Sequence, residues 1–229
     1  MIRIGKIAAI TMAIVMMFPG SAMASRKVNS EDLIRKTEGV TVETTINNGV
    51  TVFSADAVTA DEKKTAFEMI KMLSGDPMSK SDGMDNADYG TCGALWPGQS
   101  EYHNDTKWHG SAMSYSWKRN TAGTWDNNFE GGQSTLWDGN AKCSYIILFE
   151  NIDVNGIGVT ISWPPSISGN GSSGSWTSQP IYSSVAGSSF SGMKVSGTAT
   201  SVSFSDGGDV YVGNSVYRPI TYIKFSFFS

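Results

Sequence analysis

The sequence predicts a mainly β protein, an antiparallel β-sandwich or barrel with one N-terminal amphipathic helix. Eight or more short runs alternate apolar and polar residues and are separated by turn-forming residues, which is typical of all-β sandwiches and barrels. Only one segment has a clear helical period. Aromatic residues make up 11% of the 229 residues, which is enough apolar surface for a substantial core.

Residues 1–24 have the pattern of a secretory signal peptide. Two basic residues precede the apolar run 7–18, and Ala22-Met23-Ala24 matches the small-x-small pattern of a cleavage site. The run is shorter than the roughly 20 apolar residues that a membrane-spanning helix needs. We therefore expect the protein to be secreted and extracellular.

The charge balance limits the classes of partner. Without residues 1–24 the chain keeps 15 basic and 21 acidic residues, a formal net charge of −6. Binding to nucleic acid needs a basic footprint, and adsorption to anionic lipid depends on basic residues too. The composition therefore argues against nucleic acid as a partner, and we expect membrane contact only if the protein is a toxin.

Two cysteines, Cys92 and Cys143, follow the predicted signal peptide. In an oxidising compartment their simplest state is one disulfide. It would close a loop of about 50 residues and stabilise the fold by ~4 kcal/mol in the chain-entropy account. Two free thiols are the alternative.

Residues 25–85 form the first predicted part of the exported chain. An Asn-Gly pair at 48–49 separates two alternating runs, which is a strong hairpin signal. Thr59 and Glu62 have the spacing of a capping box at the start of a helix over 60–74. A shift in composition follows the helix, so this part is interpreted as an N-terminal hairpin and helix segment, with a removable pro-segment as an open alternative.

Residues 86–229 are predicted to form an all-β domain. The apolar run 143–149 is interpreted as a central strand covered on both faces. Ser and Gly make up 19 of the 36 residues in 166–201, which indicates short strands joined by flexible loops. Residues 206–209, Asp-Gly-Gly-Asp, are predicted as a turn, and 223–227 as a last strand.

The stretch from residue 76 to residue 90 is acidic and rich in turn formers. Its aspartates do not have the spacing of a calcium-binding loop, so the sequence predicts a solvated loop and no metal site. The aspartates are Asp76, Asp82, Asp85 and Asp88.

Five tryptophans fall between residues 96 and 137. Met113, Tyr115 and Trp117 alternate with polar residues, which predicts a strand with one aromatic face. We favour packing around the disulfide for most of these rings, but exposed ones would stack on flat ligands such as sugar rings. The hypothesised binding residues are Tyr102, His103, Trp108, His109 and Trp125.

The sequence predicts no catalytic machinery and no cofactor. His103 and His109 with Asp105 are the most reactive-looking group, but they lack the further ligands of a zinc site and are interpreted as surface polar residues. Glycoside hydrolysis stays open until the separation of candidate carboxylates is known. Those carboxylates are Glu101, Asp126, Glu130 and Glu150.

The segment 100–109, Ser-Glu-Tyr-His-Asn-Asp-Thr-Lys-Trp-His, follows Tyr89-Gly90 and resembles the Ser-x-Tyr-His…Lys-x-His segment of the β-sandwich type of lactococcin bacteriocins. The resemblance covers residues 89–149, about a quarter of the chain, and about ten residues carry it. It implies a small secreted antibacterial protein. The chain departs from that family in its N-terminal helix, its cysteine pair and about eighty residues beyond the match.

Our first hypothesis for function is a secreted, non-enzymatic β protein that binds a cell-surface component or another extracellular ligand. A glycan held on tryptophan faces is its most concrete form. The alternative is a bacteriocin-like or pore-forming toxin, whose amphipathic Ser/Thr/Gly-rich strands in 166–201 would rearrange into a membrane barrel.

Overall fold

The computed structural model describes residues 35–37, 40–47, 49–77, 99–122, 126–162, 168–170 and 172–227. The predicted signal peptide, 1–24, lies outside these ranges. The described residues form one helix and twelve strands, all paired antiparallel, so the predicted mainly β class with one helix is confirmed. The elements are β1 (Arg35–Thr37), β2 (Val40–Asn47), β3 (Val50–Asp56), α1 (Ala60–Leu73), β4 (Ser100–His109), β5 (Ala112–Ala122), β6 (Asp126–Trp137), β7 (Tyr145–Ser162), β8 (Ser168–Asn170), β9 (Ser173–Thr177), β10 (Val185–Val212), β11 (Ser215–Tyr217) and β12 (Ile220–Ser226).

Strand β10 belongs to both layers of a sandwich-like arrangement. Residues 185–189 pair with β3 on one side and β6 on the other, whereas residues 201–207 pair with β7 and β12. The first layer has the order β1-β2-β3-β10-β6-β5-β4, and the second is β8-β9-β7-β10-β12 with β11 beside the end of β10. Three register irregularities between residues 190 and 201 mark the passage from one layer to the other, because bulges bend and twist a strand.

The structure corrects two expectations from the Ser/Gly-rich part of the sequence. Residues 185–201 belong to the single 28-residue strand β10, whereas the short strands β8 and β9 agree with the expectation for the earlier part of 166–201. The turn predicted at 206–209 is wrong, because these residues also lie in β10 and pair with β7 and β12. A Cβ atom at Gly207 would collide with the carbonyl oxygen of Pro219, so this glycine permits close approach of two backbone segments.

The N-terminal hairpin and the helix are confirmed. Asn47 pairs with Val50 across the turn, and Gly49 has a φ of +78°. The Thr59 side chain accepts a hydrogen bond from the Glu62 N–H at 3.2 Å, and the Glu62 carboxylate accepts one from the Thr59 N–H at 2.9 Å. These two bonds form the predicted capping box, which satisfies N–H groups left open at the helix start.

The strands predicted at 143–149 and 223–227 are also present, as the start of β7 and as β12. Strand β7 begins at Tyr145. Its side chains Ile146 and Leu148 are fully buried, while the alternate residues are half-buried. It is therefore covered completely on one face and partly on the other.

Helix α1 lies against the outer face of the first layer, and the second layer lies against the inner face at β5 and β6. Strand β5 is consequently buried on both sides: Tyr115 and Trp117 point to the helix side, whereas Ser116 and Lys118 point between the layers. The core on the helix side includes Val40, Val42, Phe53, Ala55, Ala66, Phe67, Ile70 and Leu136. The core between the layers includes Phe129, Ile152, Val154, Met193, Val202, Phe204, Ile223 and Phe225.

The described part of 25–85 is hydrogen-bonded into the first layer, because β3 pairs with residues 185–189 of β10. The domain division at residue 85 and removal of a pro-segment stay predictions. Among the described residues, no helix has the length and apolar character needed to cross a membrane.

Replacement of Gly207 by alanine tests the role of glycine inside β10. We expect Gly207→Ala to lower the free energy of unfolding by about 1–3 kcal/mol, because the new methyl group must displace the backbone at Pro219. Urea unfolding measures the change, with Ser205→Ala in the same strand as the control. Equal stability of the two variants would contradict this role.

Candidate functional site

Four of the five hypothesised binding residues lie on β4, but on its two opposite faces. Tyr102 and Trp108 share one face, and His103 and His109 share the other, because successive side chains of a strand alternate. Trp125 lies outside the described residues. The structure therefore does not gather the four into a single surface.

Tyr102 anchors the end of the helix to the sheet. The hydroxyl groups of Tyr102 and Tyr115 donate hydrogen bonds to the Asp76 carboxylate at 2.8 and 2.5 Å, and the Tyr102 ring stacks with Trp117. Asp76 is buried, so the expectation of a solvated acidic loop is wrong at this residue. The reason is its pairing with two phenols that the sequence places far away. The rest of the acidic stretch, 78–90, lies outside the described residues.

The two histidines of β4 contact residues of the segment 217–225. His103 bonds to the Glu101 carboxylate, and its ring meets the edge of Phe225 with the centroids 4.8 Å apart. His109 Nδ1 accepts a hydrogen bond from the Arg218 N–H at 2.8 Å. The His103–Phe225 contact joins β4 to β12, two strands that do not pair through their backbones, whereas Arg218 lies between β11 and β12.

Asp105 completes this connection, since its carboxylate accepts the Tyr222 N–H at 2.9 Å. The group His103, Asp105 and His109 is therefore engaged in structural contacts. Within the described ranges, no set of three or more His, Cys, Asp or Glu side chains is placed to hold a metal ion.

The four carboxylates considered for glycoside hydrolysis each have their own partner. Glu150 is fully buried between the layers, where no sugar can reach it. The pairs are Glu101 with His103, Asp126 with Ser196, Glu130 with Arg119, and Glu150 with Lys118.

The tryptophans between residues 96 and 137 divide between the core and the surface. Trp117 and Trp137 are buried, as the packing interpretation predicts, whereas Trp108 is 56% exposed. Trp96 and Trp125 lie outside the described residues. Cys143 forms no disulfide with a described residue, and burial raises the pKa of its thiol to about 11. Cys92 is not described, so the Cys92–Cys143 disulfide stays a prediction.

A groove that the sequence analysis did not identify lies on the face of β2 and β3 opposite the helix. Its volume is about 410 Å³. The segment 178–183, just before β10, forms its wall. The lining residues are Thr41, Glu43, Thr45 and Asn47 from β2, Val52, Ser54 and Asp56 from β3, and Ser178, Gln179, Pro180, Ile181, Tyr182 and Ser183 from the wall.

The wall of the groove is fixed at both ends. Ser183 Oγ donates to the Ala55 carbonyl of β3, and Ser178 Oγ accepts the Leu148 N–H of β7 at 2.9 Å. Between them, Ile181 and Ile146 form a two-way backbone bridge. The wall is thus attached to β3 of the first layer and to β7 of the second.

Tyr182 stands out from this wall and is 78% exposed. Its ring centroid lies 5.9 Å from that of Tyr145, which stacks on Tyr211 at 4.3 Å. Tyr145 and Tyr211 are paired residues of β7 and β10, so the two strands hold their rings in position. Three tyrosines therefore form an aromatic ladder that begins at the groove. The sequence signal for the groove floor is the alternation of polar residues in β2.

The comparisons with known proteins leave the family open. No protein-family model matches the chain, and no curated protein matches it. The chain is similar in structure to the collagen-binding domain from a Staphylococcus aureus adhesin, with 8% identity and a TM-score of 0.24. The similarity covers 56% of this chain and 97% of that domain. A likeness at this level carries no argument about function, and the resemblance to lactococcin bacteriocins stays a prediction.

The buried phenol groups make the free energy of unfolding depend on pH in the alkaline range. Burial raises the pKa of Tyr102 to about 12 from an ordinary value of 10.0, and it raises that of Tyr115 as well. Between about pH 10 and pH 12 the unfolded chain therefore loses these protons first, so the free energy of unfolding falls as the pH rises.

Urea unfolding across this pH range tests the assignment. We expect the free energy of unfolding to fall less steeply with pH in Tyr102→Phe than in the unchanged protein. Tyr182→Phe, at an exposed ring, is the control, and equal slopes in all three proteins would contradict the assignment.

Proposed function

We propose that the protein is a non-enzymatic, extracellular ligand-binding protein and that the groove beside Tyr182 holds a glycan. The observation that carries the proposal is the combination of a polar floor with an exposed aromatic ring at one rim. The extracellular part rests on the signal-peptide pattern of residues 1–24.

The lining of the groove has the chemistry that a sugar needs. Sugar hydroxyls both donate and accept hydrogen bonds, and the floor offers hydroxyl, amide and carboxylate groups that do the same. The C–H face of a pyranose ring is apolar and packs on a flat aromatic side chain such as Tyr182. The volume falls within the range of about 300–1,000 Å³ that is usual for small-ligand sites.

The arrangement of carboxylates in the groove favours binding over hydrolysis. Glu43 pairs with Ser54 across the hairpin, and Asp56 pairs with Thr41, so the two acids are not directly opposite one another. Both are exposed. A general acid for glycoside cleavage needs a carboxyl group that burial keeps protonated, and neither Glu43 nor Asp56 has such surroundings. We therefore assign them as hydrogen-bond acceptors for sugar hydroxyls.

A glycan array followed by titration of the best oligosaccharide tests the proposal. We expect Tyr182→Ala to weaken binding by about 2- to 10-fold, the contribution of one aromatic contact. Glu43→Ala should also weaken binding, because it removes a hydrogen-bond acceptor from the floor of the groove. Tyr222→Ala is the matched control, because Tyr222 is also an exposed tyrosine, 56% accessible, but lies on β12 away from the groove.

Three results would overturn the proposal. The first is an array with no bound glycan. The second is loss of binding only in Trp108→Ala, which would place the site on β4. The third is release of dye from liposomes by the protein, which would support the toxin hypothesis instead.

A further inference from the structure

Three charged side chains meet in the core between the two layers. Lys118 of β5 lies 2.6 Å from Asp206 of β10 and 3.3 Å from Glu150 of β7, measured from Nζ to the carboxylate oxygens. Their side chains are 0%, 1% and 2% exposed. Burial of ions is costly, and burial of an ammonium with two carboxylates is unusual in a core made mainly of phenylalanine and aliphatic residues.

The fold brings these residues together by two separate mechanisms. Glu150 and Asp206 are directly paired residues in the β7–β10 ladder, so their side chains are neighbours on one face of the second layer. Lys118 reaches them from the first layer. Strands β5 and β10 are not hydrogen-bonded to each other at this point, so the cluster is a contact between layers.

The surroundings of Lys118 are apolar. Its Nζ lies 5.2 Å from the centre of the Phe190 ring and 5.3 Å from that of Phe204. Nearby, Ser116 donates to Thr221 at 2.7 Å. The water that would normally compete for an ammonium or a carboxylate is therefore excluded from this part of the core.

With Lys118 charged, the cluster has no net charge when one of its two carboxyl groups is protonated. Burial raises the pKa of Glu150 to about 8 despite the neighbouring ammonium, and burial raises that of Asp206 as well. Burial by itself lowers the pKa of Lys118, but the two carboxylates together raise it. At neutral pH, Glu150 is accordingly a protonated acid beside the charged Lys118.

We propose that Lys118 and Asp206 condense to form an intramolecular amide bond, and that Glu150 carries the proton in this reaction. The placement of a buried amine against a buried carboxyl group, with a second carboxyl beside both, supports this assignment. The bond would join the first layer to the second half of β10 covalently.

The reaction balances without any co-reactant. A proton passes from the Lys118 ammonium to the Asp206 carboxylate, which gives a neutral amine and a neutral acid. The amine nitrogen attacks Cγ of Asp206, and Glu150 accepts a proton from nitrogen and delivers one to the departing hydroxyl. One N–C bond forms, one C–O bond breaks, and one water molecule leaves.

Two physical effects favour this step in the folded protein. The fold holds nitrogen and acid in contact, so the reaction is effectively unimolecular. Condensation also replaces two buried ions by a neutral amide and removes the cost of their desolvation. Neither effect operates in the unfolded chain.

Mass spectrometry of the purified full chain tests the proposal without any variant. After denaturation and digestion with trypsin, we expect the peptides 108–119 and 195–224 to be joined and lighter than their sum by one water. Cleavage after Lys118 should be absent, because its amine is acylated. Complete recovery of the unlinked peptides 108–118 and 195–224 from folded protein, with cleavage after Lys118, would overturn the proposal.

Variants separate the roles of the three residues in the reaction. Asp206→Asn should still form the link but lose ammonia in place of water, whereas Lys118→Arg should leave the peptides unlinked. Glu150→Gln should abolish or greatly slow the link while both reacting groups remain. Lys107→Arg is the control, because Lys107 pairs with Asp105 at 3.2 Å on the surface. A link that forms equally well in Glu150→Gln would contradict the role of Glu150.

Discussion

The arrangement depends on one strand, β10, which pairs along both edges and belongs to both layers. Its first part holds β3, and through β3 the hairpin that forms the floor of the groove. The wall of the groove, 178–183, leads directly into it. Its second part carries Asp206 and places that residue beside Glu150. Both the groove and the buried cluster therefore depend on the continuity of this strand.

Burial of β5 on both of its faces explains the polar groups in the core. Strand β5 lies between the helix side and the second layer and is buried on both faces, so its polar residues must find partners inside the protein. Ser114 and Thr135 bond at 2.8 Å, and Ser116 bonds to Thr221. Hydroxyl pairs of this kind let a chain rich in serine build the interior. Lys118 follows the same constraint, with carboxylates as its partners.

The sequence was sufficient where the signals are local. The Asn-Gly turn at 48–49 and the capping box of Thr59 and Glu62 are determined by neighbouring residues, and both were predicted correctly. It was not sufficient where a residue type serves a distant contact. Gly207 and Gly208 are typical turn residues, but they lie in strand β10, where Gly207 allows the close approach of Pro219. The groove and the partners of Lys118 could not be predicted, because they arise only when strands far apart in sequence meet.

Native-state hydrogen exchange along β10 tests the account most directly. If one strand holds both layers together, the amides of 185–189 and of 202–209 should exchange with the same free energy of opening, equal to that of global unfolding. The free energy of opening would then fall equally with added urea in both parts of β10. Exchange of the first part through a separate, lower-energy opening, with the second part still protected, would contradict the account.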